Sequence, residues 1–488
     1  MRKQFESQLT LGTTPINEVK IPSKTRSHIV ALVAALQHIY ISPKWNSKVF
    51  SLLAEKVLKD KKQTGREGMS LWEMFVLAQV RLADNSSYDD LHHKANYDTL
   101  IRGVLGVLPT DYSLGKQYSY QNIYDNVSLI DDQLLIKINA LIVEVGHEIF
   151  KKKEDTPLRL KTDSYVCETD THFPTDYNLL WDSARKCIDT VNHLRKEIEI
   201  PGWRKHARWK SSIKSSMRSV GKVSSGGGKN KDVRIKKEAR VYLEKTRSLA
   251  KKIEPIFNTP ISTVSIKILA LLESLSYYEK MLVKHIDLVD RRLLKGEVIP
   301  HEEKIFSIFQ DYTEFIKKGK LRPNVEIGKK VAITTDQFDL IVDYQIAENQ
   351  SDSQMTRCIV TRIHSRFSIQ SFSVDKGYSN QLDRDWLEGF IPEVVMPKKG
   401  KRNQAETQKE QQPKYRKLKR KHSAIESNIN ELENRGLGRC PDRSWKKFRN
   451  YTALAVCAYN LHKIGRKILK DRLAQEKKDK ERLLKLVA

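Results

Sequence analysis

Strand-like segments in this chain are few, short and far apart. The first covers residues 158–166, where Leu158, Leu160, Tyr165 and Val166 are compatible with a β-strand. The next ones follow only at residues 330–333, 340–344 and 368–374. Helical periodicity fills residues 177–320 between them, including an amphipathic stretch that Gly296 terminates. This order predicts an α/β domain whose sheet is interrupted by a helical insertion at about 177–320.

Residues 1–150 show a helical pattern. Apolar residues recur at helical spacing in two runs, namely Ile29, Leu32, Val33, Leu36 and Ile39, then Leu71, Met74, Phe75 and Val76. We therefore expect an all-α N-terminal DNA-binding domain, the usual form of a helix-turn-helix module, although spacing alone identifies no recognition helix. Further along, a basic, Gln-rich linker is expected at about 398–413, and helical patterning continues to Ala488, with residues 466–488 as a basic C-terminal helix.

The formal net charge of +28 and the isoelectric point of about 9.6 favour a polyanionic partner, with nucleic acid first and an anionic membrane surface second. No run of roughly 18 apolar residues is long enough to span a membrane, and no signal peptide precedes the helices, so we expect a soluble, cytoplasmic protein. The five cysteines are scattered without CxxC spacing. Neither a zinc finger nor a disulfide framework is predicted.

The strongest basic segment runs from Trp203 to Lys251. It holds sixteen Lys and Arg residues against three acids, interleaved with Trp203 and Trp209. Side chains at this density neutralise phosphates and release counterions, so the segment is predicted to contact the DNA backbone. The glycines at 226–228 do not form a phosphate-binding loop, because the spacing GxxxxGK[ST] is absent.

Three acidic residues occupy positions suited to metal-dependent phosphodiester chemistry. Asp163 lies within the first strand, Asp375 at the exit of a later strand, and Glu426 on a predicted helix. Cleavage with two divalent metals needs carboxylates that hold both cations about 3.5 to 4 Å apart. Mg²⁺ prefers such oxygen ligands. Acids at strand ends can converge in a sheet flanked by helices, although spacing alone makes this only a possibility.

The segments around these acids resemble the three acidic motifs of bacterial insertion-sequence DDE transposases. The first is Lys161-Thr-Asp163 with its continuation to residue 183, the second is Ser373-Val-Asp375-Lys-Gly377-Tyr-Ser379, and the third is His422-Ser-Ala-Ile-Glu426-Ser-Asn-Ile-Asn430 with its continuation to Cys440. Residues 396–400 also fit. The motifs follow the family's order over about residues 155–465, and residues 69–106 resemble its helical N-terminal domain.

The resemblance implies an α/β ribonuclease-H-like catalytic domain with a helical insertion, with Asp163 on the first strand, Asp375 on the fourth and Glu426 on a following helix. It also implies that these three residues bind two Mg²⁺ ions, with Mn²⁺ as a possible substitute. The implied reaction is cleavage at the ends of an insertion sequence, followed by strand transfer into target DNA. The implied partners are double-stranded DNA, both terminal inverted repeats and target, and a second copy in a homodimeric synaptic complex. The implied location is the nucleoid.

Other acids remain open as alternatives. Asp170 or Asp176 could replace Asp163, and Glu433 could replace Glu426, since it lies two helical turns further along the same face. Three further acids near the second pair of strands, Asp336, Asp339 and Asp343, are interpreted as turn and exposed-strand residues.

Candidate DNA contacts lie in the basic segment and beside the acids. They are Trp203, Arg204, Lys205, Arg208, Lys210, Lys214, Arg218, Lys376, Lys398, Lys399, Arg420 and His422. His422 could instead orient Glu426 or serve as an ordinary helix-surface histidine. Two other functions are compatible with the sequence: a transposase-derived DNA-binding protein without catalytic activity, and a metal-dependent nuclease without strand transfer.

Overall fold

The computed structural model describes residues 12–59, 68–108, 115–258, 265–317 and 325–487. The chain forms two compact units. The sheet unit consists of Met1–Asp170 together with Gly328–Ala488, and the inserted unit consists of Thr171–Ile327. Among the described residues, no helix is long and apolar enough to cross a membrane.

The N-terminal part of the sheet unit is helical, as predicted. Its helices are α1 (His28–Ile41), α2 (Pro43–Val57), α3 (Leu71–Arg81), α4 (Tyr88–Tyr97), α5 (Thr99–Leu105), α6 (Tyr120–Val127) and α7 (Asp132–Ile149). Capping boxes begin α3 at Ser70 and α4 at Ser87, where each serine accepts a backbone N–H of the first turn. Since α1 buries nearly all of its middle residues, it is a central helix of the unit rather than a surface one.

Seven strands are described. They are β1 (Leu158–Thr169), β2 (Glu314–Lys317), β3 (Val325–Thr335), β4 (Ile341–Ile346), β5 (Ile369–Val374), β6 (Glu393–Val395) and β7 (Arg439–Cys440). In the sheet unit their order is β4-β3-β1-β5-β6, and β7 also pairs with β1. The β3 strand runs antiparallel to both neighbours, whereas β1, β5, β6 and β7 are parallel. This mixed sheet is consistent with the predicted ribonuclease-H-like fold.

The C-terminal helices complete the sheet unit. They are α12 (Asp352–His364), α13 (Gln381–Glu388), α14 (Gln404–Gln411), α15 (Pro413–His422), α16 (Ala424–Leu432) and α17 (Trp445–Val487). One face of the sheet packs on α12, where Leu160 and Phe372 join Met355 and Ile359 in a single apolar cluster. The long α17 packs on α1 and α7. At the crossing with α1 the backbones lie so close that a Cβ on Gly465 would be 1.7 Å from the Ala31 carbonyl oxygen.

The inserted unit is formed mainly by helices α8 (Asp176–Leu194), α9 (His206–Ser225), α10 (Lys231–Ile253) and α11 (Ile266–Val289). Their apolar faces form a separate core that includes Leu180, Tyr242, Leu275 and Leu282. A π-helical segment, Asp290–Lys295, continues α11, and the predicted helix end is confirmed because Gly296 follows this segment with a left-handed φ of 76°. The fold class is therefore confirmed, including the helical insertion between β1 and β3.

Two local predictions differ from the structure. The expected linker at 398–413 contains α14, which begins with a capping box between Asn403 and Glu406. No break separates residues 466–488 from the preceding helix, because α17 runs from Trp445 to Val487. The functional division into an N-terminal DNA-binding domain at 1–150 and a catalytic domain at 155–465 stays a prediction.

Candidate active site

Asp163 and Asp375 lie side by side at the end of two neighbouring parallel strands. In the β1–β5 ladder, Thr162 pairs with Val374. Asp163 is the residue after Thr162, and Asp375 is the residue after Val374. Because the backbone of Asp375 stays extended, the two side chains leave the same face of the sheet. Asp163 is half-buried, whereas Asp375, the first residue beyond β5, is exposed. Register alone therefore brings together two acids that are more than two hundred residues apart.

The Asp163 carboxyl is electrostatically strained. Burial raises its pKa to about 6, and the negative charges of Asp375, Asp352 and Glu426 act in the same direction. The backbone N–H of Ser164 opposes this by donating to Asp163 Oδ1 at 2.7 Å. Because these charges all reach one carboxyl, Glu426 belongs to the same acidic cluster as the two strand residues. A cation at this place would relieve the repulsion among them.

A chain of polar contacts docks α16 beside β1. Lys161, two residues before Asp163, donates from Nζ to Asp339 Oδ1 at 2.8 Å. Asn428 on α16 donates from Nδ2 to the same oxygen at 3.3 Å. Glu426 lies two residues earlier on the same helix, and its charge acts on Asp163. The Glu426 side chain is exposed.

His422 ends α15 just before α16 and contacts the strand that carries Asp375. Its Nδ1 lies 3.2 Å from the Ser373 hydroxyl. Burial lowers the pKa of His422, while the neighbouring Asp375 opposes this shift and Lys161 adds to it. The imidazole is therefore neutral at pH 7 and anchors the end of α15 to the sheet.

Three cations of the predicted set surround the acids in the sheet unit. Lys376 and Arg420 are exposed, and Lys399 donates from Nζ to the Gly377 carbonyl at 2.8 Å. Lys398 differs from them, because its ammonium is held by Glu406 at 2.8 Å. A DNA contact by Lys398 would have to replace this ion pair, and it stays a prediction.

Two of the alternative acids have basic partners of their own. Asp170 lies seven residues beyond Asp163 and accepts from Arg439 at 2.8 Å, and Asp176 in the inserted unit accepts from Arg292 at 2.6 Å. Glu433 acts on the pKa of Tyr165, further along β1, whereas the acids that chiefly raise the pKa of Asp163 are Asp375, Asp352 and Glu426.

The acids near the second pair of strands have structural partners as turn and strand residues, but Asp336 is buried and only 14% of the Asp343 side chain is accessible, so the strand position is not an exposed one. Asp336 Oδ1 accepts the backbone N–H groups of Phe338 and Leu340 at 2.8 and 3.0 Å, and Asp343 pairs with Arg362 at 2.6 Å. Asp339 holds a turn with a φ of 61°.

The basic segment corresponds to α9, α10 and the residues just before them. Arg204, Lys205, Arg208, Lys214 and Arg218 are exposed, as a DNA contact requires. Trp203 needs correction, because only 3% of the residue is accessible and its ring packs against Trp209 in the core of the inserted unit. Lys210 is held by Asp189 at 2.6 Å. An interleaved aromatic and basic pattern did not distinguish a core tryptophan from a surface one.

Sequence reasoning also missed Lys161 and Asp352, which lie next to the acids in space. Asp352 is the first residue of α12 and accepts from Ser164 at 2.7 Å. A capping box at Ser351 and Gln354 marks a helix start in the sequence. That signal locates the helix but cannot tell where its first carboxylate points.

Asp163→Asn is expected to stabilise the metal-free protein at high pH. A carboxyl whose pKa rises from 3.8 to about 6 on folding stabilises the fold below pH 3.8, and this contribution is lost as the pH rises through 6. At pH 8 in EDTA the free energy of unfolding of the variant should therefore exceed that of the wild type by roughly 3 kcal/mol, and at pH 4 the two should differ little. Thermal unfolding at both pH values measures this. Asp385→Asn, on the exposed side of α13, should shift neither value; equal stabilisation by both variants would contradict the strain at Asp163.

Three carboxylates are a hard oxygen donor set, which fits Mg²⁺ or Mn²⁺. The raised pKa of Asp163 agrees with a site that takes up positive charge. Within the described ranges, no three Asp, Glu, His or Cys side chains are close enough to hold a single ion together. The three carboxylates thus belong to one acidic cluster, but they do not lie close enough together to bind one ion.

A mixed sheet in this order, with acids on β1, after β5 and on a following helix, is consistent with a ribonuclease-H-like fold. Residues 299–461 match a family model described as "Transposase DDE domain". This stretch of the chain is therefore similar to a transposase DDE domain. The match includes Asp375 and Glu426 but begins after Asp163. Searches of curated proteins and of solved structures found no match.

Proposed function

We propose that this protein is a DNA transposase that cleaves DNA at the ends of an insertion sequence and joins the freed 3′ ends to target DNA. The observation that carries the proposal is the β1–β5 register, which sets Asp163 beside Asp375 on the face that α16 covers with Glu426. The transposase DDE domain over residues 299–461 supports the same reaction class. Asp163 is part of the proposal through geometry alone, since it lies outside that match.

In this proposal Asp163, Asp375 and Glu426 would hold two divalent cations. Two such cations supply activation of the attacking oxygen and stabilisation of the leaving oxygen. The chain's own contribution is orientation. The β1–β5 ladder fixes the two aspartates, and the Lys161–Asp339–Asn428 contacts fix the helix that bears Glu426. Lys376 and Arg420, exposed beside the acids, are proposed to hold the phosphates of the bound strand.

The inserted unit is proposed to bind the DNA backbone through the basic hairpin, which we define as α9 and α10. Lys245 of α10 donates to the Ser216 hydroxyl of α9 at 2.8 Å, which joins the two helices. Lys214 and Arg218 lie one turn apart on an exposed face of α9. In the part of the chain that the structure describes, neither side chain has an acidic partner. Their charges are therefore available for phosphates.

Replacing Lys214 and Arg218 together by Ala is expected to weaken DNA binding and its salt dependence. Each lost phosphate contact lowers the slope of log affinity against log salt by about 0.9, so the double variant should lose roughly 2 from that slope. Fluorescence anisotropy with a labelled duplex between 50 and 200 mM salt measures this. The matched control is Lys210→Ala on the same helix, whose ammonium already pairs with Asp189. Identical slopes for the double variant and the wild type would show that Lys214 and Arg218 of the basic hairpin do not contact DNA phosphates.

The proposal includes the element's terminal inverted repeats, target DNA and a second copy of the chain as partners. Strand transfer requires two DNA ends to be held together, and a homodimer is the simplest assembly that does so. Phosphate contacts position the duplex without reading its sequence. The basic hairpin therefore supports DNA binding in general and not the choice of ends.

The test uses the purified full chain and a plasmid that carries the gene with its flanking genomic DNA. With Mg²⁺ we expect nicks or breaks at two defined positions flanking the gene, and with a second plasmid present we expect joined products. EDTA should abolish both products. Sequencing the new ends identifies the cut positions, and sedimentation of the protein–DNA complex gives the number of protein copies.

Other results would select another function. Tight DNA binding without cleavage in Mg²⁺ or Mn²⁺ would indicate a transposase-derived DNA-binding protein. Metal-dependent cleavage without any joined product would indicate a nuclease. Either result would overturn the proposed strand-transfer reaction.

A further inference from the structure

Asp352 lies between the two strand ends that carry the acids. It is the first residue of α12, and the capping box of Ser351 and Gln354 fixes this helix start, with the Ser351 N–H donating to Gln354 Oε1 at 2.7 Å. Its Oδ1 accepts from the Ser164 hydroxyl at 2.7 Å and lies 3.2 Å from Lys330 Nζ. The carboxylate is thus tied to β1 next to Asp163.

The other oxygen of Asp352 faces the turn that follows Asp375. A Cβ added to Gly377 would lie 3.2 Å from Asp352 Oδ2, which is tighter than ordinary van der Waals contact. The next residue, Tyr378, is buried, and its pKa is raised well above the usual value by burial and then by the Asp352 charge. Glycine at 377 therefore lets the turn approach the carboxylate closely.

We propose that Asp352 is a positioning residue that sets the spacing between Asp163 and Asp375 by contacting the residue after the first and the turn after the second. This inference rests on the proposed metal-dependent reaction. Ser164 links Asp352 to Asp163, because its hydroxyl donates to Asp352 and its backbone N–H donates to Asp163 Oδ1 at 2.7 Å. Gly377, two residues beyond Asp375, lies close to the other Asp352 oxygen and links Asp352 to the turn after Asp375. The Asp352 carboxylate is already engaged by Ser164 and Lys330, so we assign it to orientation and not to metal binding.

A simple ion pair at a helix start would not have these contacts. Asp132 provides the comparison, since it is also the first residue of its helix, α7, and pairs with Arg449 at 2.9 Å. The acidic charges that chiefly act on Asp163 are those of Asp375, Asp352 and Glu426, and Asp132 is not one of them. The two aspartates thus share helix position and an arginine or lysine partner but differ in proximity to the acids.

The experiment compares Asp352→Asn, Ser164→Ala and Asp132→Asn in the full-length protein. Ser164→Ala keeps the Asp352 charge and removes only the hydroxyl contact. The readouts are Mn²⁺ binding, followed by electron paramagnetic resonance, and the Mn²⁺ concentration that gives half-maximal cleavage of the plasmid defined above. Residues that orient metal ligands typically contribute 10–100-fold to metal affinity, so Asp352→Asn and Ser164→Ala should each raise this concentration by roughly tenfold. Asp132→Asn should leave it unchanged, and Ser164→Thr, which restores a hydroxyl, should recover it.

Three results would overturn the inference. Equal changes in Asp352→Asn and Asp132→Asn would indicate general destabilisation. A change in Asp352→Asn with none in Ser164→Ala would indicate that the carboxylate acts through its charge, not through the contact. If Asp352→Asn fails to fold, Ser164→Ala and Gly377→Ala carry the test, and normal Mn²⁺ dependence in both would exclude the positioning role. A wild-type chain that neither binds Mn²⁺ nor cleaves would instead overturn the proposed function itself, and this inference with it.

Discussion

Asp375→Asn is expected to abolish DNA cleavage while DNA binding is retained. The amide keeps the size and position of the side chain, since residue 375 is exposed at the end of β5. It removes a negative charge that the proposal assigns to holding the cations. Metal ions contribute several kcal/mol of transition-state stabilisation, so the loss should reach roughly a thousandfold or more in cleavage rate. The rate of plasmid cleavage in Mg²⁺ and the affinity for a labelled duplex are the two measurements.

The matched control is Asp385→Asn on α13, an exposed aspartate whose described contact is a hydrogen bond from Gln381 at 2.7 Å. This variant should cleave at the wild-type rate. Cleavage by Asp375→Asn within tenfold of the wild type would remove Asp375 from the proposed site. Loss of DNA binding in the same variant would show that the residue serves the interface and not the reaction.

Gly465→Ala is expected to destabilise the sheet unit strongly. Alanine favours helices over glycine by up to about 1 kcal/mol, so an exposed glycine of α17 would gain from this change. At position 465 the added Cβ would lie 1.7 Å from the Ala31 carbonyl oxygen, and the two helices must move apart. Overpacking of this kind lowers the free energy of unfolding by about 3 kcal/mol, and here it would disrupt the packing of α1 on α17. Urea unfolding should show a lower midpoint for the variant.

Gly227→Ala is the matched control, because a Cβ there would meet no atom within 4 Å. Its unfolding midpoint should equal that of the wild type. If Gly465→Ala also unfolds at the wild-type midpoint, then α1 and α17 do not approach as closely in solution as they do in the structure.

The elements that were predictable from the sequence are those whose signal is local. The strand that carries Asp163 shows apolar residues at strand spacing, and the end of α11 shows a glycine where the helix requires a left-handed residue. The β6 strand, with only three residues, carries no such periodicity. The helix α14 is polar on all sides, so its composition predicts a linker, and only the capping box between Asn403 and Glu406 indicates that a helix begins there.

The candidate site was predictable to a different degree. Motif resemblance selected Asp163, Asp375 and Glu426, and the β1–β5 register then brought the first two together. Roles that depend on tertiary contacts could not be predicted. The burial of Trp203 and the contact of Asp352 with Ser164 depend on which helix faces pack together, and no spacing in the sequence encodes that.

The separation of β1 from its partner strands also has a consequence for timing during synthesis. The ribosome must add more than two hundred residues after Asp163 before Asp375 exists, and about fifty more before Glu426. Pairings of such long range form late, because the entropy of closing the chain is lost before the contacts compensate it. A nascent or truncated chain that ends before α16 thus presents a basic surface without a complete set of acids. Under the proposed mechanism, such a chain can occupy DNA before it can cut it.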